Sequence, residues 1–510
     1  MRRSTLRIVL ALTLLLGLVP AAAAQAAPEE GIHSANMTHV KNIAYQPKYG
    51  ETVPYGTDIE FAQLRGREYA VAGSEFAGLH LVDITDPENA AVAAIYDCGV
   101  LQGDVQVFRQ GSRTFVTYTS EDTSRIAIES RCVADNVAMG NITFTDANKD
   151  GKISGTAEKR PAFGTYIVEI TDPTNPQTAG FIPVPEGSHN GSVHPSGNFF
   201  YNSNSSLLTS TNPGIEIYDI SDVTKPKRVT KLRLPYVPLS LGSESHDITF
   251  NTEGDRAYSA ALSQGVIINT EDPANPKIIT SFVDPSINVW HQSDPVTLTA
   301  ADGTKREFLL VEDEVAGALP TGQCPNGGVH VFEVTGELEK RPLKVGYWNI
   351  DEVRTANGDF FGVPIGGCTA HVFDIHEAEG IMTIAYYNGG VRVVDLNGLT
   401  GIGLGETAVA GDAPMRQIGF YRFENSDTWS AKTPKINPVT GDFYLYGNDI
   451  NRGLDIYKFE GEGRTPPGQA KKKEARNPGR WMTPAETRAM AAERPALSGE
   501  QRRPVCLLPQ

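Results

Sequence analysis

The chain has 510 residues, 50 of them Gly and 33 Pro, and a net charge of −16. The first 26 residues contribute +3 and residues 461–510 contribute +5, which leaves about −24 on the body, a sign that repels nucleic acid and suits cations or solubility. Apart from the first apolar run, none reaches the roughly 18 residues that span a bilayer, so no transmembrane segment is expected.

From the N-terminus, Arg2 and Arg3, the apolar stretch Ile8 to Pro20 and the small residues Ala22 to Ala26 make a signal peptide over residues 1–26. The mature chain is then secreted or associated with the cell wall. Thr38 to Tyr45 (THVKNIAY) reads as a lone strand with no hairpin partner beside it. Leu79 to Pro87 (LHLVDITDP) introduces a phrase that returns as TYIVEITDP from Thr165, IEIYDISD from Ile215, VIINTEDP from Val266, VHVFEVT from Val329, VRVVDL from Val391 and LDIYKF from Leu454. Each copy alternates β-branched or aromatic residues with polar ones, and most run into Asp, Pro and Asn, the pattern of a half-buried strand entering a tight turn. The last four copies stand 63, 62 and 63 residues apart, as the repeats of a β-propeller with insertions do.

The fold class expected is all-β, a seven-bladed β-propeller over residues 37–460. Blade 1 runs from Thr57 to Tyr96, and blade 2 starts at Gly103 and is interrupted by an insertion over about 120–162. Blades 3 to 7 begin at His189, at His246, near His291, at His371 and near Thr433. The last repeat offers Phe443 to Gly447 and Leu454 to Phe459 but no fourth strand, so the N-terminal strand is expected to join it, closing the ring and removing two open sheet edges. Residues 461–510, rich in Pro, Lys, Arg and Ala, cannot supply a packed core and read as a basic tail with one short helix from Thr483.

The repeated phrase resembles the LVIVD repeat of secreted bacterial propellers. The resemblance implies a secreted or cell-surface binding or adhesion module, a monomer whose partner is a protein, a cell-wall component or a small molecule.

Within the blade 2 insertion, Asp146, Asn148 and Asp150, with Gly151 for the turn and the Lys152 carbonyl next, reproduce the first two-thirds of a calcium loop. The bidentate acid due at the twelfth position is Ala157, with Glu158 one place late. Ca²⁺ bound here would stiffen a long loop; the alternative is an ion-free Asp/Asn/Gly turn.

Aligning the blades brings out a second group. His189, His246 and His371 open the innermost strands of their blades, eight, eight and nine residues before the hairpin glycines Gly197, Gly254 and Gly380, and His291 opens blade 5 in the same way. Equivalent positions of a propeller converge on its axis, so these four imidazoles are expected at one mouth of the channel. Neutral imidazole suits Zn, Cu and Fe. The competing reading is a set of structural histidines satisfied by water or by Asp247, Asp294 or Glu244; a third is acid/base work without metal. His194 and His376, five residues further along, point the other way. The acidic run Glu312 to Glu314 reads as a strand end meeting solvent.

Five cysteines in an exported chain make two bridges and a remainder, here Cys98 with Cys132 and Cys324 with Cys368. Cys506 is left over, free or standing in for one of those partners. Two functions therefore stand side by side. One is the binding module. The other is a metal-dependent enzyme, an oxidoreductase first, built on His189, His246, His291 and His371.

Overall fold

The computed structural model describes residues 31–121, 129–142, 164–314, 327–350, 369–408 and 411–461. The calcium-type loop from Asp146 to Glu158, the pair Cys324 and Cys368, Cys506, the signal peptide and the helix of the tail all lie outside these residues.

The repeats fold into seven antiparallel sheets arranged as the blades of a β-propeller. Each repeated phrase is the third strand of its blade, as in Leu79–Asp83 and Val329–Glu333. These strands are buried on both faces, not half-buried as the alternation suggested, because neighbouring blades stack against either side. Tyr69, Val71 and Leu81 of blade 1, for instance, pack with Val105, Tyr118 and Tyr166 of blade 2. The polar residues of the alternation are buried with the rest: Arg392 is 0 % exposed, and its guanidinium donates to Gly389 O at 2.7 Å. Removing apolar area from water on both faces at about 25 cal/mol per Å² is what holds one blade to the next.

The N-terminal strand, Met37–Ile43, joins the last blade as its outermost strand, with Met37 opposite Phe459 and Ile43 opposite Leu454. The expected closure is thus present. Ile32–His33 adds a fifth strand to the outer edge of blade 6, opposite Arg422 and Tyr421.

The innermost strands are Gly56–Leu64, Gln102–Gln110, Ser188–Val193, Asp247–Phe250, Trp290–Thr299, Phe373–His376 and Thr428–Lys432. Blade 7 therefore starts ahead of Thr433. Its hairpin carries Pro434 and Pro438, which have no N–H to give a ladder, so the strand stops at Lys432 and the residues from Thr433 onward form the turn. The described part of the blade 2 insertion is a helix, Arg131–Ala138, tied to the end of blade 1 by a Cys98–Cys132 disulfide.

Candidate functional site

Five of the seven innermost strands begin with a bulge, and the unpaired residues are those that reach the axis. Pairing skips Thr57 and Asp58 in blade 1, Gly103 and Asp104 in blade 2, His189 in blade 3, His291 and Gln292 in blade 5, and Trp429 in blade 7. A bulge bends the strand and re-aims side chains. His246 and His371 stand just ahead of their strands, held by backbone bonds from His246 N to Ala260 O and from His371 N to Ala385 O.

The four histidines meet as the alignment of blades required. Successive ring centroids from His189 through His246 and His291 to His371 are 4.4, 4.0 and 4.5 Å apart, and all four residues are buried. Every Nδ1 has an oxygen against it. His246 Nδ1 donates to His291 O at 3.1 Å and His371 Nδ1 to Trp429 O at 2.5 Å. A carbonyl only accepts, so both rings carry their proton on Nδ1 and present a bare Nε2. His189 Nδ1 lies 2.9 Å from Glu121 Oε1, and His291 Nδ1 lies 2.9 Å from Glu312 Oε2.

On the Nε2 side, His189 and His246 face each other at 2.9 Å, a distance that calls for a proton or a cation between two ring nitrogens. His291 Nε2 and His371 Nε2 have no hydrogen-bond partner among the described residues. Glu314 stands opposite them, 3.7 Å from His291 Nε2 and 3.9 Å from His371 Nε2, and accepts from the Tyr387 hydroxyl at 2.8 Å. Donor atoms of His246, His291 and Glu314 all lie within 4.8 Å of one another. Burial pushes His246, His291 and His371 well below the ordinary histidine value, and pushes Glu312 and Glu314 well above the carboxylate range. These three imidazoles are thereby kept neutral, the form that donates a lone pair.

The run Glu312 to Glu314 does not meet solvent; Glu312 and Glu314 are 0 % exposed. On a strand, residues two apart share a face. These two face the histidines, while Asp313 turns away to accept from the N–H groups of Asn288 and Val289. Glu121 and Glu314 also occupy one structural position. Each follows the second strand of its blade and donates its own N–H to the residue preceding the innermost strand, Leu101 O and Val289 O. Glu75 of blade 1 does the same with Tyr55 O. A search for glutamates at matched blade positions would have found them. Asp247, Asp294 and Glu244 are not the histidines' hydrogen-bond partners, and Glu244 instead accepts from Gly214 N and Asn204. His194 and His376 stay outside the cluster: His194 Nε2 bonds Gly254 O, and His376 pairs with Asp374.

Beside the histidines lies a cavity of about 470 Å³ on the axis, lined by His291, His371 and Trp429 and by the carboxylates Asp58, Glu60, Asp104, Asp247, Asp294 and Asp374. Lys432 of blade 7 is the only cation of the lining and is held by Asp58 and Glu60, each 2.9 Å from its Nζ. Burial raises Glu60 to about 7, Asp247 to about 6 and Asp294 to about 7.

No family model matches the chain, and no curated protein matches it. Solved structures share the fold at low similarity. Hydrazine synthase of Kuenenia stuttgartiensis is 11 % identical over 81 % of this chain and 97 % of its own, with a TM-score of 0.47. The periplasmic gluconolactonase PpgL of Pseudomonas aeruginosa is 10 % identical over 84 % and 94 %, also at 0.47. The β-propeller domain of Cps50 (Swd1) from Myceliophteria thermophila is 10 % identical over 80 % and 97 %, at 0.44. Likeness at this level says nothing of what the chain does.

Proposed function

We propose that this propeller is a metal-dependent enzyme, an oxidoreductase, with Fe, Cu or Zn held by His189, His246, His291 and His371 and with Glu314 as a further oxygen donor. The observation that carries this reading is the orientation of the rings: each Nδ1 is engaged by an oxygen, and donor atoms of His246, His291 and Glu314 lie within 4.8 Å of one another. Metal-bound histidines almost always give their other ring nitrogen to a carboxylate or a carbonyl. Two nitrogens at about 2.0–2.1 Å from one ion lie roughly 2.9 Å apart at a right angle, and His189 Nε2 and His246 Nε2 are 2.9 Å apart. Two buried Nε2 atoms, of His291 and His371, and a buried Glu314 oxygen have no hydrogen-bond partner among the described residues, which supports the reading.

A bound ion of this kind supplies Lewis acidity or electron transfer at the inner end of the cavity. The chain's own part is to fix tautomers through Glu121, Glu312 and the two carbonyls, and to keep bulk water from the imidazoles. An exported, LVIVD-type setting accords with the Cys98–Cys132 disulfide, and among the described residues no helix is long and apolar enough to cross a membrane.

Elemental analysis of protein purified without a histidine tag tests the reading. Stoichiometric Fe, Cu or Zn is expected in the wild type and should fall to background in a His246→Ala/His371→Ala variant. A wild type that contains none, and takes up none on dialysis against each metal, leaves the binding-module reading in its place.

A further inference from the structure

The carboxylates of the axial cavity are not all accounted for by the groups around them. Asp58 and Glu60 share Lys432, and Asp374 pairs with His376. Asp104, Asp247 and Asp294 have only neutral hydrogen-bond donors. Asp104 accepts from Gly191 N at 3.0 Å, Asp247 from Ile248 N at 2.6 Å, and Asp294 from the Thr249 hydroxyl at 2.6 Å and Gln292 Nε2 at 3.0 Å. Three carboxyls thus stand together without a cation in contact, and burial holds Asp104 well above the carboxylate range, Asp247 at about 6 and Asp294 at about 7, so that an entering cation would draw them into the charged form. The same cavity is lined by His291 and His371, 1 % and 0 % exposed, whose Nε2 atoms have no partner among the described residues.

The shape of the lining decides which cation fits. A hard metal ion needs several oxygens converging at about 2.3–2.6 Å. Among the described residues the one group of three donor atoms within 4.8 Å is His246, His291 and Glu314, so the ring carboxylates do not converge on a point. They are spread around about 470 Å³, a volume in the range of small-molecule pockets. Trp429 belongs to the same lining, and aromatic side chains attract organic ammonium and guanidinium groups. At its other end the lining includes the exposed hairpin residues Pro195 and Thr252, so the cavity communicates with solvent on the side away from the histidines.

We propose that this cavity binds a small organic cation, an amine or guanidinium on a short carbon chain. Its charge lies among Asp104, Asp247 and Asp294, and its other end reaches toward His291 and His371. That the far end is the reacting end rests on the metal reading given above; the cation site itself does not.

Calorimetric titration of the full chain with agmatine, 1,4-butanediol and succinate tests the proposal without any variant. Agmatine should bind at one site per chain, while the neutral diol and the dianion should not. An Asp104→Asn/Asp294→Asn variant, checked for fold by circular dichroism, should bind agmatine about thirtyfold more weakly or worse, as loss of buried charge partners does. Its metal content should be unchanged. Agmatine and the diol binding alike, no agmatine binding at millimolar concentration, or full affinity in the variant would each overturn the cation site. Metal present without agmatine binding removes this inference and leaves the metal centre. Agmatine binding to a chain that holds no metal removes the metal centre and leaves this site.

Discussion

His80 lies in the third strand of blade 1, 2 % exposed, with its ring stacked on Tyr45 at 3.9 Å and Nδ1 3.1 Å from Gly78 O. Burial lowers it to about 4. An unfolded chain, with the histidine near 6.5, binds the proton that the folded chain refuses. The stability that neutral His80 contributes is therefore complete above pH 6.5 and is lost as pH falls toward 4. At 1.36 kcal/mol per unit the loss is on the order of 3 kcal/mol. Urea unfolding at pH 7 and pH 4.5 should show less of a drop in a His80→Phe variant than in the wild type, and equal drops would refute the assignment. The four axial histidines were legible in the sequence because three of them open a blade eight or nine residues before a hairpin glycine and His291 opens blade 5 ahead of a longer hairpin. Their glutamates were not. Glu312 and Glu314 looked like a solvent-facing charge run, since nothing in a single strand reveals that they face His291 of their own blade and residues of blades 4 and 6. Glu121 sits at the brink of a long insertion where the repeat pattern gives out.

At the scale of elements, bulges explain most of the difference between pattern and structure. Alternation of polar and apolar residues tracks a regular strand; it does not show where one extra residue is inserted. The innermost strands depart from the ladder at Thr57, Gly103, His189, His291 and Trp429, the ring of positions around the axis. In blade 7 the start read near Thr433 falls just past the innermost strand, which ends at Lys432 because two prolines interrupt the ladder. The disulfide was read correctly from cysteine count and compartment. It joins residues 34 apart, and closing a loop of that length restricts the unfolded chain by about 3–4 kcal/mol on the chain-entropy account. A Cys98→Ala/Cys132→Ala variant is expected to lose about that much in urea unfolding. Reductant should lower the wild type by at least that much, and the variant by no more than a Cys324–Cys368 bridge contributes.

At the scale of the whole molecule, seven copies of one phrase were enough to give the ring, its blade order and its closure by the N-terminal strand. What the repeat could not give was the burial of both sheet faces, which depends on the blades standing side by side. Closure has a cost in sequence distance. Met37 pairs with Phe459, and Asn36 donates to the carbonyls of Ile418 and Glu460. A circular permutant that places residues 31–45 behind residue 461, through a short Gly/Ser linker, turns this pairing into a hairpin. It should refold faster than the natural order at similar final stability, as stopped-flow fluorescence would show. Unchanged refolding would mean that closure is not the slow step.

In the natural order, the strand Met37–Ile43 is made early and waits for Gly453–Phe459, the last strand of the described residues. Until some four hundred residues of intervening chain are in place, two sticky β edges stay available to any passing polypeptide. Aggregation during biosynthesis should therefore begin at blade 7, whatever the strength of the six blades already assembled.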